Sequence, residues 1–353
     1  MTEILILKTG ALGDVLRTTS ILPGLHERYP DCRVTWVTAP GALDLIRLHP
    51  LVAELIPLDP GSASELERLT ARLALVTWDR LLSLDDEEPL CRLASALQAK
   101  RVSGAILHSD GGGRGYTPDV APWFDMGLLS VHGKERADQL KLENGKSHPQ
   151  IFAEMLGIPT GRPLLPREPA SERFAEGFAR RTHLHGHGAV VGLNTGAGGR
   201  WHSKALPVER TVALAAELDR ALAGRVAFLL LGGPDEAERN RAIAAGLDGR
   251  VHLVDGGTRN SLLDFAALVG RCDCLVTSDS LALHVAVARG VRLVTFFAPT
   301  SAAEIELYGL GEKVVSTAPD AGSYRPDADT SSLTVERLVG SVLRQLGAAP
   351  GGR

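Results

Sequence analysis

The feature that most constrains the fold of this chain is a pair of apolar runs that each end in a small polar turn. The first run, residues 274–277, ends at Ser278-Asp279-Ser280, and the second, residues 293–297, ends at Pro299-Thr300-Ser301. Small polar residues favour the start of a helix, and we expect Asp279 to accept a bond from the N–H groups of the first helical turn. The pattern predicts strand, turn and helix, twice in succession.

Helical spacing follows the first turn. Apolar Leu281, Val285 and Ala288 recur until Gly290, which suits a helix C-terminus. The second turn is expected to open another helix. Two such units with buried strands indicate a parallel α/β sheet, whose ligand edge lies where strands end and helices begin. Unpaired amides and the helix dipole both favour an anion at that edge.

Length and composition limit the classes of function. With 353 residues, 44% of them hydrophobic, the chain is expected to form two domains. A net charge of -4 argues against a nucleic-acid partner. Its four cysteines are scattered apart from one C-x-C pair, Cys272 and Cys274, so we expect reduced thiols and no metal site. Because no apolar run of about 18 residues occurs, we expect a cytoplasmic protein with at most peripheral membrane contact. We also expect a monomer.

The N-terminus repeats the strand-turn-helix pattern. Residues 4–8 form an apolar strand, and the turn at residues 9–14 leads into a helix that is expected to reach Glu27. The turn lacks the third glycine of a dinucleotide fingerprint and the G-K-[ST] of a phosphate loop. Asp14, at its end, is either a general base at the mouth of a cleft or an N-terminal helix cap.

Strand and helix patterns continue through a first domain, residues 1–165. Further strands are predicted at residues 34–38, 53–58, 80–84 and 101–103, and helices at 41–48, 63–74, 88–98 and 147–156. The acidic run from Asp85 to Glu88 resembles a D-x-D metal site, but a solvated helix N-terminus is the favoured interpretation. Proline and glycine at residues 157–163 mark the linker.

An irregular segment, residues 108–130, interrupts this alternation. It contains Arg114 in a glycine-rich stretch and the aromatic pair Trp123-Phe124. Long irregular segments in α/β proteins are usually functional loops. We therefore favour a loop that faces a ligand cleft, with a surface excursion as the alternative.

The second domain, residues 166–330, is predicted to carry the anion-binding loops. A strand at residues 190–194 runs into the loop 195–204, where glycines let backbone N–H groups converge and Arg200 and Lys204 supply positive charge. The alternative is a flexible surface loop. After the strand at 226–231, Glu236 either bonds a ribose hydroxyl or complements a helix dipole. A last helix, residues 335–346, follows a polar connection.

These motifs together resemble a known family, glycosyltransferase family 9, the bacterial heptosyltransferases that use ADP-heptose. The resembling segments are I-L-I-L-K-T-G-A-L-G-D-V-L-R-T-T, G-L-N-T-G-A-G-G-R-W-H-S-K, L-L-L-G-G-P-D-E, T-S-D-S-L-A-L-H-V-A-V-A and F-F-A-P-T-S-A-A-E. They span most of the chain, from Ile4 to about Gly311. The resemblance implies a GT-B fold, an α/β architecture of two facing Rossmann-like domains with parallel sheets. It also implies that the helix within residues 331–353 packs back on the N-terminal domain.

The resemblance implies a role for each matching residue. Asp14 would be the base that deprotonates the acceptor hydroxyl. At the donor, Lys204 would neutralise the diphosphate, Glu236 would hold the ribose, and Asp279 would contact the transferred sugar. Diphosphate-binding amides would come from Ser280, Leu281 and Ala282. We also assign Thr195, Gly196 and His284 to the donor site, although His284 equally suits packing inside its helix, and Gly13, Arg114 and Tyr116 to the acceptor side.

The function expected from this resemblance is metal-independent, inverting transfer of a heptose from ADP-heptose to a hydroxyl of a lipopolysaccharide-core type of glycan. No cofactor is expected, because the nucleotide sugar is a substrate. Few lysines and the acidic residues 85–88 in the acceptor half leave open a natural-product acceptor such as an aminoglycoside or a nucleoside. Another class remains as an alternative, a nucleotide-sugar epimerase or a non-catalytic nucleotide-sugar-binding protein, neither of which would need Asp14.

Overall fold

Apolar runs that are buried on both faces form the centre of each sheet. Ile4 to Leu7 are 0% exposed, and so are the side chains of Val226–Leu231, as expected for parallel strands that helices cover on both sides. The computed structural model of the chain describes residues 1–108, 111, 113–199 and 201–347. The chain divides into two compact units, Met1–Leu165 and Pro166–Arg353, and the boundary lies at the end of the linker that the sequence indicates.

The first unit contains one mixed sheet and its covering helices. Its strands are β1 (Thr2–Leu7), β2 (Cys32–Thr38), β3 (Glu54–Pro57), β4 (Arg80–Ser83), β5 (Val102–Leu107) and β6 (Arg114–Tyr116). Its helices are α1 (Leu12–Thr18), α2 (Ile21–Arg28), α3 (Leu43–Ile46), α4 (Ala63–Leu73), α5 (Glu88–Ala96), α6 (Ala121–Phe124), α7 (Lys134–Glu143) and α8 (His148–Leu156). The helix expected to run to Glu27 is thus two helices, α1 and α2.

The strand order of the first sheet is β3-β2-β1-β4-β5-β6. The chain moves outward from β1 to β3 and then returns to the other side of β1 with β4. β1 to β5 are parallel, whereas β6 pairs antiparallel with β5. The reversal between β1 and β4 creates a crevice at their carboxyl ends, which is where ligands bind in sheets of this kind.

The second unit repeats this plan with a fully parallel sheet. Its strands are β7 (Ala189–Asn194), β8 (Val226–Leu231), β9 (His252–Asp255), β10 (Cys274–Ser278), β11 (Leu293–Phe297) and β12 (Gly311–Val315). Its helices are α9 (Pro169–Arg181), α10 (Val208–Ala221), α11 (Ala237–Leu247), α12 (Leu262–Val269), α13 (Leu281–Arg289) and α14 (Val335–Leu346). The order is β12-β11-β10-β7-β8-β9, so the reversal lies between β7 and β10.

One helix that the sequence predicts does not form. The turn that follows β11 is expected to open a helix, but residues 298–306 form bends and turns. A side chain takes the place of helical hydrogen bonds there, because Lys313 Nζ donates to the carbonyls of Ala302, at 2.7 Å, and Ile305. Backbone groups that are satisfied from outside the segment no longer favour a helix.

The C-terminal helix α14 packs in the second unit, whereas the resemblance implied packing on the N-terminal domain. Its apolar residues Leu338, Val342 and Leu343 belong to the buried core cluster that β7, β8, β10 and β11 build. Thr334 caps the helix by accepting a bond from the N–H of Arg337. A strongly amphipathic helix must bury its apolar stripe, and the face of the sheet between α10 and β12 provides the surface.

Replacement of Leu338 by alanine tests this packing. The side chain is 0% exposed, so Leu338→Ala is expected to lower the free energy of unfolding by about 2–5 kcal/mol through lost burial and a cavity. The matched control is Leu75→Ala, because Leu75 is 87% exposed. Chemical denaturation measures both, and equal stabilities of the two variants would contradict the placement of α14.

Candidate functional site

The reversal point of the second sheet is fixed by one buried asparagine. Asn194, the last residue of β7, donates through its side-chain amide to the Gly196 carbonyl at 2.8 Å and to Thr277 Oγ1 at 3.1 Å. The same amide lies 3.4 Å from Ser280 Oγ, which is 2.9 Å from Thr277 Oγ1. These bonds tie the loop that follows β7 to the start of α13. Asn194 was not singled out from the sequence, although a polar residue that ends an apolar strand was the available signal.

The N-terminus of α13 is open. Ser280 is its N-cap residue, with extended backbone angles, and the Ser280 side chain makes no capping hydrogen bond. The first N–H groups of a helix have no intrahelical acceptor, which here concerns Ser280, Leu281 and Ala282. No acidic side chain occurs in the first turn either. The amides and the helix dipole therefore offer an anion site at the reversal point.

The N-cap residue of this helix is Ser280, and Lys204 binds the carboxylate of the preceding residue, Asp279. Lys204 Nζ lies 2.9 Å from Asp279 Oδ2 and 2.9 Å from the Asp279 carbonyl oxygen. The two side chains are only 14% and 19% exposed. His284 Nε2 lies 4.0 Å from the other carboxylate oxygen of Asp279. The His284 side chain is also buried, so both sequence interpretations of this residue fit its position. The ammonium group is thereby held beside the open end of α13.

Glu236 joins the loops after β7 and β8. Its carboxylate accepts the N–H groups of Gly198 at 3.1 Å and Gly233 at 2.7 Å. A Cβ atom on Gly196 would lie 2.4 Å from Glu236 Oε1, so a larger residue here would displace the Glu236 carboxylate. Thr195 is held in turn by the Leu231 carbonyl and Asn240. Glu236 is therefore a buried acceptor that orders both glycine-containing turns.

The donor-side residues singled out from the sequence thus come together along one edge of one sheet. They follow three strands, β7, β8 and β10, and comprise Thr195, Gly196, Lys204, Glu236, Asp279, Ser280, Leu281, Ala282 and His284. Arg200, the other predicted cation of the loop, lies outside the described residues. A further pair at this edge was missed. Tyr324 OH donates to Glu304 Oε1 at 2.8 Å, and burial raises the pKa of Tyr324.

The first unit carries a second charged site at its own reversal point. Asp85, which follows β4, accepts bonds from Lys8 Nζ, from the Thr9 hydroxyl at 2.9 Å and from the Gly10 N–H at 3.3 Å. The pair is buried, with Asp85 5% and Lys8 10% exposed. The interpretation of residues 85–88 as a solvated helix N-terminus is therefore wrong for Asp85, which shapes the turn after β1.

Asp14 follows Gly13 in the first helical turn of α1, just after the turn that Asp85 shapes. Its carboxylate pairs with Arg17, with Nη2 2.8 Å from Oδ1, and stays 40% exposed. The position matches either sequence interpretation, because an acid in a first turn complements the helix dipole and an exposed carboxylate also reaches a substrate.

The two remaining acceptor-side predictions lie on β6. Arg114 Nη1 donates to the Asp86 carbonyl at 2.7 Å. Tyr116 stacks on Phe124 at a centroid distance of 5.4 Å and donates to Asp125. Burial, followed by the bond to Asp125, raises the pKa of Tyr116. The predicted irregular segment thus contains a strand and a helix with an aromatic cluster.

Two kinds of feature do not occur among the described residues. No helix in the described part of the chain is long and apolar enough to cross a membrane. Within residues 1–108, 111, 113–199 and 201–347, no group of three or more His, Cys, Asp and Glu side chains is arranged to hold a metal ion.

Sequence comparison links the chain to proteins of known activity. The model of the family "Glycosyltransferase family 9 (heptosyltransferase)" matches residues 146–327. Among characterised proteins, lipopolysaccharide heptosyltransferase 1 of Pseudomonas aeruginosa is 23% identical over 321 residues, which cover 87% of this chain and 81% of that protein.

Solved structures share the fold over nearly the full length. A glycosyl transferase family 9 protein from Veillonella parvula superposes with a TM-score of 0.77 at 21% identity, covering 98% of this chain and 97% of the other. ADP-heptose lps heptosyltransferase II of E. coli superposes with a TM-score of 0.67 at 19% identity, covering 98% of each chain. E. coli heptosyltransferase WaaC with ADP superposes with a TM-score of 0.62 at 18% identity, covering 98% of this chain and 100% of the other. The predicted α/β class, a GT-B fold of two Rossmann-like domains, is confirmed.

Proposed function

Because this chain belongs to glycosyltransferase family 9, we propose that it transfers a heptose from ADP-heptose to a hydroxyl group of a lipopolysaccharide-core type of glycan. One observation carries the proposal: the open N-terminus of α13 lies beside Lys204 at the reversal point of the second sheet. Structures of E. coli WaaC with ADP and with ADP-2-deoxy-2-fluoro heptose support the choice of donor. Membership of a transferase family disfavours the epimerase alternative.

The donor's diphosphate would bind the amides of Ser280, Leu281 and Ala282. Its negative charge is complemented by the helix dipole and by the ammonium group of Lys204. Lys204 is bound to Asp279 in the structure, and a diphosphate would compete for this cation. The Asp279 carboxylate would then accept hydrogen bonds from sugar hydroxyls, with His284 beside it.

The nucleoside would lie toward β8. Glu236 is the acidic residue of that turn, and its carboxylate accepts two backbone N–H groups. A carboxylate oxygen accepts more than one hydrogen bond, so Glu236 would hold ribose hydroxyls while it orders the two turns. Thr195 and Gly196 would complete this part of the donor site.

The chemical step would be a single displacement at the anomeric carbon. The acceptor oxygen forms a bond to that carbon, the bond from the carbon to the β-phosphate oxygen breaks, and ADP leaves with the electron pair. Asp14 takes the acceptor's proton. Amides and Lys204 stabilise the charge that develops on ADP, so the proposed step uses no metal ion. Attack opposite the leaving group inverts the anomeric configuration.

Incubation with ADP-heptose and a panel of acceptors tests the function. The panel contains a deacylated lipopolysaccharide core, an aminoglycoside and a nucleoside, and both ADP release and product mass are measured. We expect a product heavier than the glycan acceptor by one heptosyl residue. Preferred transfer of a hexose from UDP or GDP donors would refute the donor, and a heptosylated aminoglycoside or nucleoside in place of the glycan would refute the acceptor.

Replacement of Asp14 tests the base. Asp14→Asn removes the proton acceptor but keeps the shape, so kcat is expected to fall about 100- to 10,000-fold while ADP affinity is unchanged. Asp44→Asn is the matched control, because Asp44 also pairs with an arginine three residues later and is 41% exposed. Steady-state kinetics and calorimetry measure both variants. Wild-type turnover by Asp14→Asn would exclude Asp14 as the base.

Replacement of Lys204 tests the diphosphate site. Lys204→Met is expected to weaken ADP binding about 10- to 150-fold, because a charge-assisted hydrogen bond contributes about 1.5–3 kcal/mol. Lys100→Met is the control: Lys100 also pairs with an aspartate, Asp79, but is 71% exposed in the other unit. Calorimetric titration with ADP compares the three proteins. An unchanged dissociation constant for Lys204→Met would move the diphosphate elsewhere.

A further inference from the structure

Asp14 and Arg17 form an ion pair that differs from an ordinary surface pair. Arg17 Nη2 lies 2.8 Å from Asp14 Oδ1, and the Arg17 side chain is 15% exposed although Asp14 is 40% exposed. The pair of Asp44 and Arg47 has the same spacing, with an Nε–Oδ1 distance of 2.7 Å, but Arg47 is 37% exposed. An exposed ion pair contributes little because water and side-chain entropy compete with it. Arg17 is held in place by something besides its carboxylate.

One side chain that contacts Arg17 is Trp123. Arg17 Cζ lies 5.3 Å from the centroid of the indole ring, within the range of a cation–π interaction, which contributes about 0.5–2 kcal/mol. A guanidinium group can stack on a ring with its face while it donates hydrogen bonds in its own plane. Arg17 thus contacts the ring of Trp123 and the carboxylate of Asp14 at the same time.

Trp123 is itself fixed by buried aromatic residues of α8. Its ring packs edge-on against His148, at 5.1 Å and 87°, and against Phe152, at 5.4 Å and 69°. Both residues are 2% exposed. Edge-to-face contacts at these distances are favourable beyond the area that they bury. A continuous series of contacts thus runs from the core, through Trp123 and Arg17, to the Asp14 carboxylate.

We propose that Arg17 is a positioning residue for Asp14 and that Trp123 holds Arg17 for this task. The proposal rests on the role of Asp14 as the base in the proposed function. The bond from Arg17 Nη2 to Oδ1 restricts rotation of the partly exposed Asp14 carboxylate. Misplacement of a reacting group by about 1 Å can cost a factor of about 100 in rate, so a fixed carboxylate accelerates proton removal without any contact between Arg17 and the substrate.

In this arrangement, the segment predicted to be irregular, residues 108–130, supplies the Trp123 ring that contacts Arg17. β6 and α6 (Arg114–Tyr116 and Ala121–Phe124) form a small folded insert, in which Tyr116 stacks on Phe124 with an interplanar angle of 18°. Trp123 precedes Phe124 and makes different contacts, with Arg17 and α8. Phe124 thus packs within the insert, against Tyr116, whereas Trp123 contacts Arg17.

Single-turnover kinetics on the full chain test the proposal. For Arg17→Met we expect the rate of heptosyl transfer to fall about 10- to 100-fold, with the donor KM and the ADP dissociation constant unchanged. Trp123→Leu is expected to reduce the rate in the same direction, and Trp123→Phe to restore it because the ring face is kept. Arg47→Met, which breaks the matched pair at the end of α3, is expected to keep the wild-type rate.

A double variant separates action through Asp14 from an independent effect. If Arg17 acts by positioning Asp14, then Arg17→Met causes no further loss of rate in the Asp14→Asn background, because coupled residues are not additive. Additive losses would overturn the proposal, and so would a wild-type rate for Arg17→Met. Arg17→Lys serves if the methionine variant fails to fold: it keeps the charge but not the planar fork, and a wild-type rate for it would also overturn the proposal.

The outcome is distinguishable from a failure of the proposed function. Full activity of Asp14→Asn would show that Asp14 is not the base, and the positioning role of Arg17 would then be refuted as well. Collapse of Asp14→Asn together with full activity of Arg17→Met would leave Asp14 as the base and refute the positioning role alone.

Discussion

The open N-terminus of α13 is the constraint on which the proposed donor site depends. Its N-cap residue is Ser280, whose hydroxyl lies 2.9 Å from Thr277 Oγ1 and makes no capping bond. Lys204 binds the carboxylate of the preceding residue, Asp279, through a partly buried contact of 2.9 Å. Asn194 fixes the loop after β7 and the start of α13 to each other. The proposed anion site requires this arrangement, because it leaves the first amides without a cap from Ser280 and places a cation beside them.

Each unit has a lysine–aspartate ion pair at the reversal point of its sheet, and the two pairs have different structural effects. In each sheet a lysine that follows the first strand pairs with an aspartate that follows the fourth, as Lys8 does with Asp85 and Lys204 with Asp279. Asp85 also accepts backbone N–H groups of the turn after β1, so the first pair shapes that turn. Removal of one partner from a buried pair of this kind costs about 3–5 kcal/mol. The second pair holds the Lys204 ammonium group beside the start of α13, where Lys204 also donates to the Asp279 carbonyl.

The sequence predicted the local features well and the long-range pairs poorly. Apolar runs, glycine turns and the linker sufficed for the alternation of strands and helices, for the division after residue 165 and for the meeting of the loops after β7, β8 and β10 at one sheet edge. The ion pairs at the reversal points of the two sheets join positions 77 and 75 residues apart, and no local pattern reports such partners. The same limit explains why the burial of Asp85 and the pairing of Asp279 with Lys204 were not predicted. It also explains the helix expected after β11, where Lys313, beyond the segment itself, satisfies the backbone carbonyls.

The central claim is that the diphosphate of ADP binds the amides at the start of α13, and amide NMR shifts measure this most directly. In a titration of ¹⁵N-labelled protein, ADP should shift the resonances of Ser280, Leu281 and Ala282, whereas adenosine, which lacks the diphosphate, should leave them nearly unchanged. Binding of ADP without a shift at these three amides, or equal shifts with adenosine, would contradict the account.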